Sequence, residues 1–122
     1  MTGEYTISED QSVIRVLYMG QTSYETSSNM MRDVAEVIAR TGLKKLLFDI
    51  RDAKGTGSYA LPIQHVEEAP SMGFTPMLRS AIIGAPKDQV MLKYIEDVSV
   101  NRGMQVRTFT DEEQALSWLL SE

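Results

Sequence analysis

Two strand-like runs in succession, followed by a regular alternation of helical and strand-like segments, limit most sharply what this chain can fold into. Residues Glu4 to Ser8 alternate in polarity, with Tyr5 and Ile7 on one side. After the polar turn Glu9-Asp10-Gln11-Ser12 comes Val13-Ile-Arg-Val-Leu-Tyr-Met19, β-branched and aromatic, ended by Gly20. Two such runs across a short polar break read as an antiparallel hairpin. The second run is apolar on both sides, the pattern of a strand covered on both faces.

From Thr22 to Thr41 the period becomes helical, with Met30, Met31, Val34, Val37 and Ile38 spaced three and four residues apart. Gly42 falls where a left-handed residue ends a helix, whereas Ser23, Thr26, Ser27 and Ser28 all qualify as its N-cap. Leu43 to Ile50 is a buried-strand pattern, Arg51 to Ser58 a polar loop with two glycines, and Tyr59 to about Met72 a weaker helical stretch. Arg79-Ser-Ala-Ile-Ile-Gly84 is the next core strand. Pro86 suits the first turn of a helix, carried on by Val90, Met91, Tyr94, Ile95 and Val98 and stopped at Gly103.

The end of the chain gives the clearest local signal. A strand from Gln105 to Phe109 leads to Thr110 and Glu113, spaced as a capping box. Ala115, Leu116, Leu119 and Leu120, with Trp118, then form a broad apolar stripe. The whole order is β-β-α-β-α-β-α-β-α. It predicts a single α/β domain over residues 1–122, with five strands, four helices, a parallel core sheet and an antiparallel edge from the hairpin.

Composition narrows the function classes. The chain has no cysteine, so it carries no disulfide framework, thiolate nucleophile or cysteine metal site. A formal net charge of −5 opposes non-specific binding to a phosphate backbone, so nucleic acid is not an expected partner. No apolar run reaches the roughly 20 residues of a membrane span. The first ten residues lack the basic and apolar regions of a signal peptide. A cytoplasmic protein is the expectation.

The hairpin, Leu46-Leu-Phe-Asp49, Ala81-Ile-Ile-Gly84 and Arg107-Thr-Phe-Thr-Asp-Glu-Glu-Gln-Ala-Leu-Ser-Trp-Leu119 together resemble the STAS and SpoIIAA-like superfamily, the fold of bacterial anti-sigma-factor antagonists. The last segment looks most like the SpoIIAA-like branch grouped with STAS and SEC14 domains. The resemblance implies a non-enzymatic regulatory module that binds a protein partner or a second copy of itself as a dimer. In such antagonists a serine in an Asp-Ser-Ser-Gly-like segment after the third strand is phosphorylated by a partner kinase. The corresponding stretch here is Asp49-Ile-Arg-Asp-Ala-Lys-Gly-Thr-Gly-Ser58, with Gly57 where the motif has Asp, so Ser58 or Thr56 stands in a similar place. The SEC14 side of the resemblance implies the alternative, a carrier of a lipid-like or anionic small ligand.

The residues themselves offer four candidate sites. Ligands of parallel sheets bind at the carboxyl ends of strands. The loop Lys54, Gly55, Thr56, Gly57 and Ser58 there offers a cation, two hydroxyls and glycines that let backbone N–H groups turn outward, the parts of an anion or phospho-acceptor site. The plain alternative is a surface loop whose serine caps a helix. Asp49 and Asp52, around Arg51, are either a Mg²⁺ or acid pair or simply the solvated end of a strand. His65 is the only histidine; without a second one it has no zincin spacing, and an ordinary helix histidine is the plainer reading. Met72, Phe74 and Met77 lie in a segment broken by Pro70, Gly73 and Pro76. They fit an apolar pocket, a membrane-surface contact, a subunit contact, or a loop folded into the core. No catalytic constellation, metal site or cofactor motif emerges, and the P-loop spacing is absent.

Overall fold

The computed structural model describes residues 3–55 and 60–121. Strand β1 (Glu4–Asp10) pairs antiparallel with β2 (Val13–Gln21) across a two-residue turn. Gln11 and Ser12 both take positive φ, 54° and 68°, the mirror-image turn whose twist matches a hairpin. The sequence lacks the usual Asn-Gly signal for such a turn. Helix α1 (Tyr24–Thr41) then leads to β3 (Lys45–Lys54), α2 (Ala60–Glu68) and a 3₁₀ turn (Ala69–Met72). Strand β4 (Arg79–Ile83), α3 (Gln89–Asn101), β5 (Gln105–Phe109) and α4 (Glu112–Leu120) complete the order. The five strands lie in the sequence β1-β2-β3-β4-β5, and every pair after the hairpin is parallel. The expected α/β architecture, with five strands and four helices, is present.

Several ends are as read from the sequence. Ser23 caps α1, its hydroxyl accepting from the Thr26 N–H, and Gly42 closes the helix at φ 72° with its N–H bonded to the Ile38 carbonyl. Helix α4 begins one residue later than the capping-box spacing implies. Asp111, not Thr110, is its N-cap, because Asp111 is extended and its carboxylate accepts from the Glu113 N–H at 2.9 Å.

The sheet has two unequal faces. On the first, Ile14, Val16, Tyr18 and Leu46 meet Met30 and Val34 of α1, with Ala69, Phe74 and Leu78 filling in below. Helices α2 and α3 lie over this same face. On the second, Val13, Leu47, Ala81 and Ile83 pack against Ala115 and Leu119 of α4 alone. Nine residues of helix cannot cover five strands, and α4 lies over β3, β4 and β5. The pattern of β2 implied cover on both faces. Only its start has it, while Leu17 and Met19 on the second face stay half-buried, outside the cluster under α4.

Strand β3 carries one extra residue against β2: Leu17 faces Asp49, but Met19 faces Asp52. Such a bulge re-aims side chains next to a strand end. Ile50 and Ala53, three residues apart, thereby both pack on the first face.

Candidate functional site

The carboxyl end of β3 holds most of the sequence-predicted groups. Asp49 is committed to Arg51: the guanidinium donates to both carboxylate oxygens, at 3.0 and 2.7 Å, and the Arg51 N–H adds a third bond at 3.1 Å. Burial pushes the Asp49 carboxyl up, but these bonds outweigh it and hold it below the usual carboxylate range. Arg51 also reaches Glu112 at the start of α4, as does Arg15 of β2, which pairs with Asp10 as well. Both arginines are thus matched by carboxylates, and the cluster fastens the acidic first turn of α4 to the sheet. It leaves Asp49 no freedom to serve as an acid or base. Asp52 is exposed beside it. Among the described residues no group of three or more His, Asp or Glu is placed to hold a metal ion.

The segment expected to be loop from Arg51 is instead strand as far as Lys54, because β3 stays paired with β2 up to Gln21. Lys54 and Gly55 of the predicted anion loop are exposed, and the Lys54 carbonyl accepts from the N–H and hydroxyl of Thr22. Thr56, Gly57 and Ser58 lie outside the described residues. At the carboxyl end of β5 a polar cleft of about 270 Å³ is lined by Gln89, Leu92, Thr108, Phe109, Thr110 and Gln114, without an acid or base among them. Beside it Glu96 of α3 accepts from the Thr108 N–H at 2.7 Å and from the Thr108 hydroxyl. That bond covers an outward amide of edge strand β5, which guards against pairing with another chain.

The more distinctive feature lies on the first face. A cavity of about 190 Å³, partly open to the surface, lies between the sheet and α1, α2 and α3. Its floor includes Phe48, Ile82 and Val106, and its far wall Met30, Phe74 and Met104. Helix α2 forms the roof, yet no residue of α2 is fully buried. The main contacts of α2 are with α3, α1 and the 3₁₀ turn rather than with the sheet. Two small polar residues at core-facing positions, Ser80 on β4 and Ser99 on α3, leave the volume open. Of the predicted apolar segment, Phe74 lines this cavity, Met72 packs against the same core, and Met77 is 65% exposed, away from both. No helix among the described residues is long and apolar enough to cross a membrane.

His65 of α2 is also on the cavity wall. Its ring stacks on Tyr24 with centroids 5.3 Å apart and planes 10° apart. The Tyr24 hydroxyl donates to Glu68 at 2.9 Å, which fixes α1 to α2. Glu68 stands 3.9 Å from His65 Nδ1, beyond hydrogen-bond reach. Neither ring nitrogen has a hydrogen-bond partner among the described residues, although both are buried. An unsatisfied buried polar group of this kind costs about 1–3 kcal/mol.

Burial lowers the His65 pKa from its ordinary value, with Glu68 pulling weakly the other way. A histidine whose folded pKa is depressed lends stability above its unfolded value near 6.5, and that stability is lost as pH falls through the folded value. Stability should therefore decline on acidification below about pH 6.5 in the native protein. The His65→Phe variant should lack that component. Denaturant unfolding at pH 7 and pH 5.5 checks this, and equal pH slopes for the two proteins would refute it.

The sequence sets Met30 and Met31 on a helical period and marks His65 as an ordinary helix histidine. It does not show that Tyr24, His65 and Glu68 meet, because the first is 41 residues from the second. The one local signal was the pair of serines, Ser80 and Ser99, at positions where the periodicity asks for a large apolar side chain.

Neither a protein-family model nor a curated protein matches the sequence. The fold does have solved counterparts. An anti-sigma factor antagonist from Mycobacterium paratuberculosis superposes with TM-score 0.69 at 13% identity, over 98% of this chain and 96% of that one. A DUF3478-family protein with a SpoIIAA-like fold from Shewanella loihica PV-4 gives 0.63 at 18% identity, over 96% and 93%. The anti-sigma factor antagonist SpoIIAA in its unphosphorylated form gives 0.59 at 9% identity, over 98% and 100%. The chain has a SpoIIAA-like fold, as the resemblance in its sequence implied.

Proposed function

We propose that this SpoIIAA-like fold serves as a cytoplasmic, non-catalytic regulatory module that works by binding another protein and is switched at Ser58 or Thr56. The observation that carries the reading is the fold itself, because the structures that share it include anti-sigma factor antagonists. The chemistry of the strand ends agrees with it. Asp49 is spent on holding Arg51, and the cleft at β5 has no titratable lining, so neither offers a reaction centre.

The position of α2 gives the switch a mechanical basis. The segment between Lys54 and Ala60 feeds directly into α2, the helix least committed to the sheet. Elements with few buried contacts open at the lowest free energy. A phosphate adds a charge of about −1.5 to −2. Placed at the start of α2, it would act on the helix dipole and on any surface docked against the loop.

The test is mass spectrometry of the protein purified from its own cells, with and without Ser58→Asp or Thr56→Asp. One added phosphate localised to Ser58 or Thr56 is expected. A co-purifying protein should lose about tenfold or more in affinity for one of the charged variants at unchanged melting temperature. No phosphate at either residue, together with a partner that binds both variants like the native chain, would overturn the switch. Recovery of only a second copy of this chain would replace the partner by a homodimer.

A further inference from the structure

We propose that the cavity beneath α2 is a binding site for a small neutral aromatic molecule with one hydroxyl group, of phenol size, held by a hydrogen bond to His65. The inference stands apart from the partner-binding reading and from the loop after β3.

Size sets the first limit. A cavity of roughly 150 Å³ in an apolar core holds one benzene ring. The 190 Å³ here therefore suits one ring with a small substituent. The walls set the second. The thioethers of Met30, Met31 and Met104 and the rings of Phe48 and Phe74 all border the space. Sulfur–aromatic and ring–ring contacts favour an aromatic occupant over an aliphatic one of equal volume.

The polar lining sets the third. No Lys, Arg, Asp or Glu faces the cavity, so a charged ligand would be desolvated without a counter-charge. His65 supplies the one buried pair of polar atoms without a partner among the described residues. A neutral imidazole has one donor and one acceptor nitrogen, and a hydroxyl can meet either. Access follows from the roof. Helix α2 is fastened at its sides, by Tyr24 to Glu68 and by Arg102, just after α3, to Glu67, and has little hold on the sheet below. Lifting α2 widens the already partly open cavity without breaking a strand pair.

The test uses the full chain with ¹⁵N label, titrated with 4-methylphenol, toluene and benzoate. His65 is the only histidine, so its imidazole nitrogens report without ambiguity. Saturable binding of one 4-methylphenol should shift one of the two imidazole nitrogen signals. Its affinity should exceed that of toluene by about tenfold, the effect of one net hydrogen bond, and should also exceed that of benzoate. In His65→Phe the preference for the hydroxyl should shrink to about twofold or less, while toluene still binds. Lack of saturable binding would overturn the site, and so would imidazole signals that do not move, as when water alone meets His65. Tighter binding of benzoate would overturn the neutral class, and a hydroxyl preference that survives in His65→Phe would overturn the role of His65. The imidazole readout needs only the native protein, so a poorly folding variant leaves the test decisive.

Discussion

Replacing Leu119 with alanine should lower the unfolding free energy by about 3–5 kcal/mol and the melting temperature by about 10–20 °C. Leu119 has no exposed surface, and the cluster it belongs to contains only six buried residues. Two of those six, Ala115 and Leu119, come from α4, and Leu119 is the only large one. Truncation leaves a void under a helix of nine residues, too short to hold its shape without packing. The neighbouring Leu120 is 44% exposed, so Leu120→Ala is the control and should cost less than about 1 kcal/mol. Urea unfolding of the two variants decides the matter. A loss below about 1 kcal/mol for Leu119→Ala would mean that α4 is not held by this contact.

The second large effect is expected at Arg79, at the start of β4. Its guanidinium donates to the carbonyls of Trp118 and Ser121, each at 2.8 Å, and lies 5.2 Å from the centre of the Trp118 ring. A cation at the carboxyl end of a helix satisfies orphan carbonyls and suits the dipole. Losing one charge-assisted bond costs about 1.5–3 kcal/mol and the ring contact about 0.5–1, while water recovers part of the rest at this partly exposed end. Arg79→Ala should therefore cost about 2–3 kcal/mol. Amide exchange should speed up in the last turn of α4 while the β1–β2 hairpin stays protected. Faster exchange spread evenly over the sheet would contradict a local role. Both substitutions act through α4, so the double variant should lose less than the sum of the two.

These two residues differ in how far the sequence foretold them. Leu119 sits on an apolar stripe at helical spacing, and its burial follows from period alone. Arg79 reads as an ordinary polar strand start, and its partners lie 39 to 42 residues further on. The same contrast runs through the candidate sites. Asp49 and Arg51 were visible as a charged strand end, and their closeness in the chain is why they pair. His65 and Tyr24 were each unremarkable, and only the packing of α2 on α1 stacks them. Met72, Phe74 and Met77 share one short segment, but their three side chains have three fates. The 3₁₀ turn at Ala69–Met72 directs Phe74 inward and leaves Met77 on the surface.

What the sequence determined by itself is the part governed by neighbours along the chain. Period, caps and turns fixed the number and order of strands and helices, the antiparallel first pair and the parallel remainder. Composition excluded thiol chemistry and opposed non-specific binding to a phosphate backbone. Tertiary structure alone decided which faces were covered, because cover depends on how far each helix reaches across the sheet. It placed α1, α2 and α3 together on one face and left α4 alone on the other. It also set the volume between α2 and the strands, lined by Ser80 and Ser99 from elements that local periodicity cannot relate. Close packing is a property of facing surfaces, and those surfaces come from residues far apart in the chain.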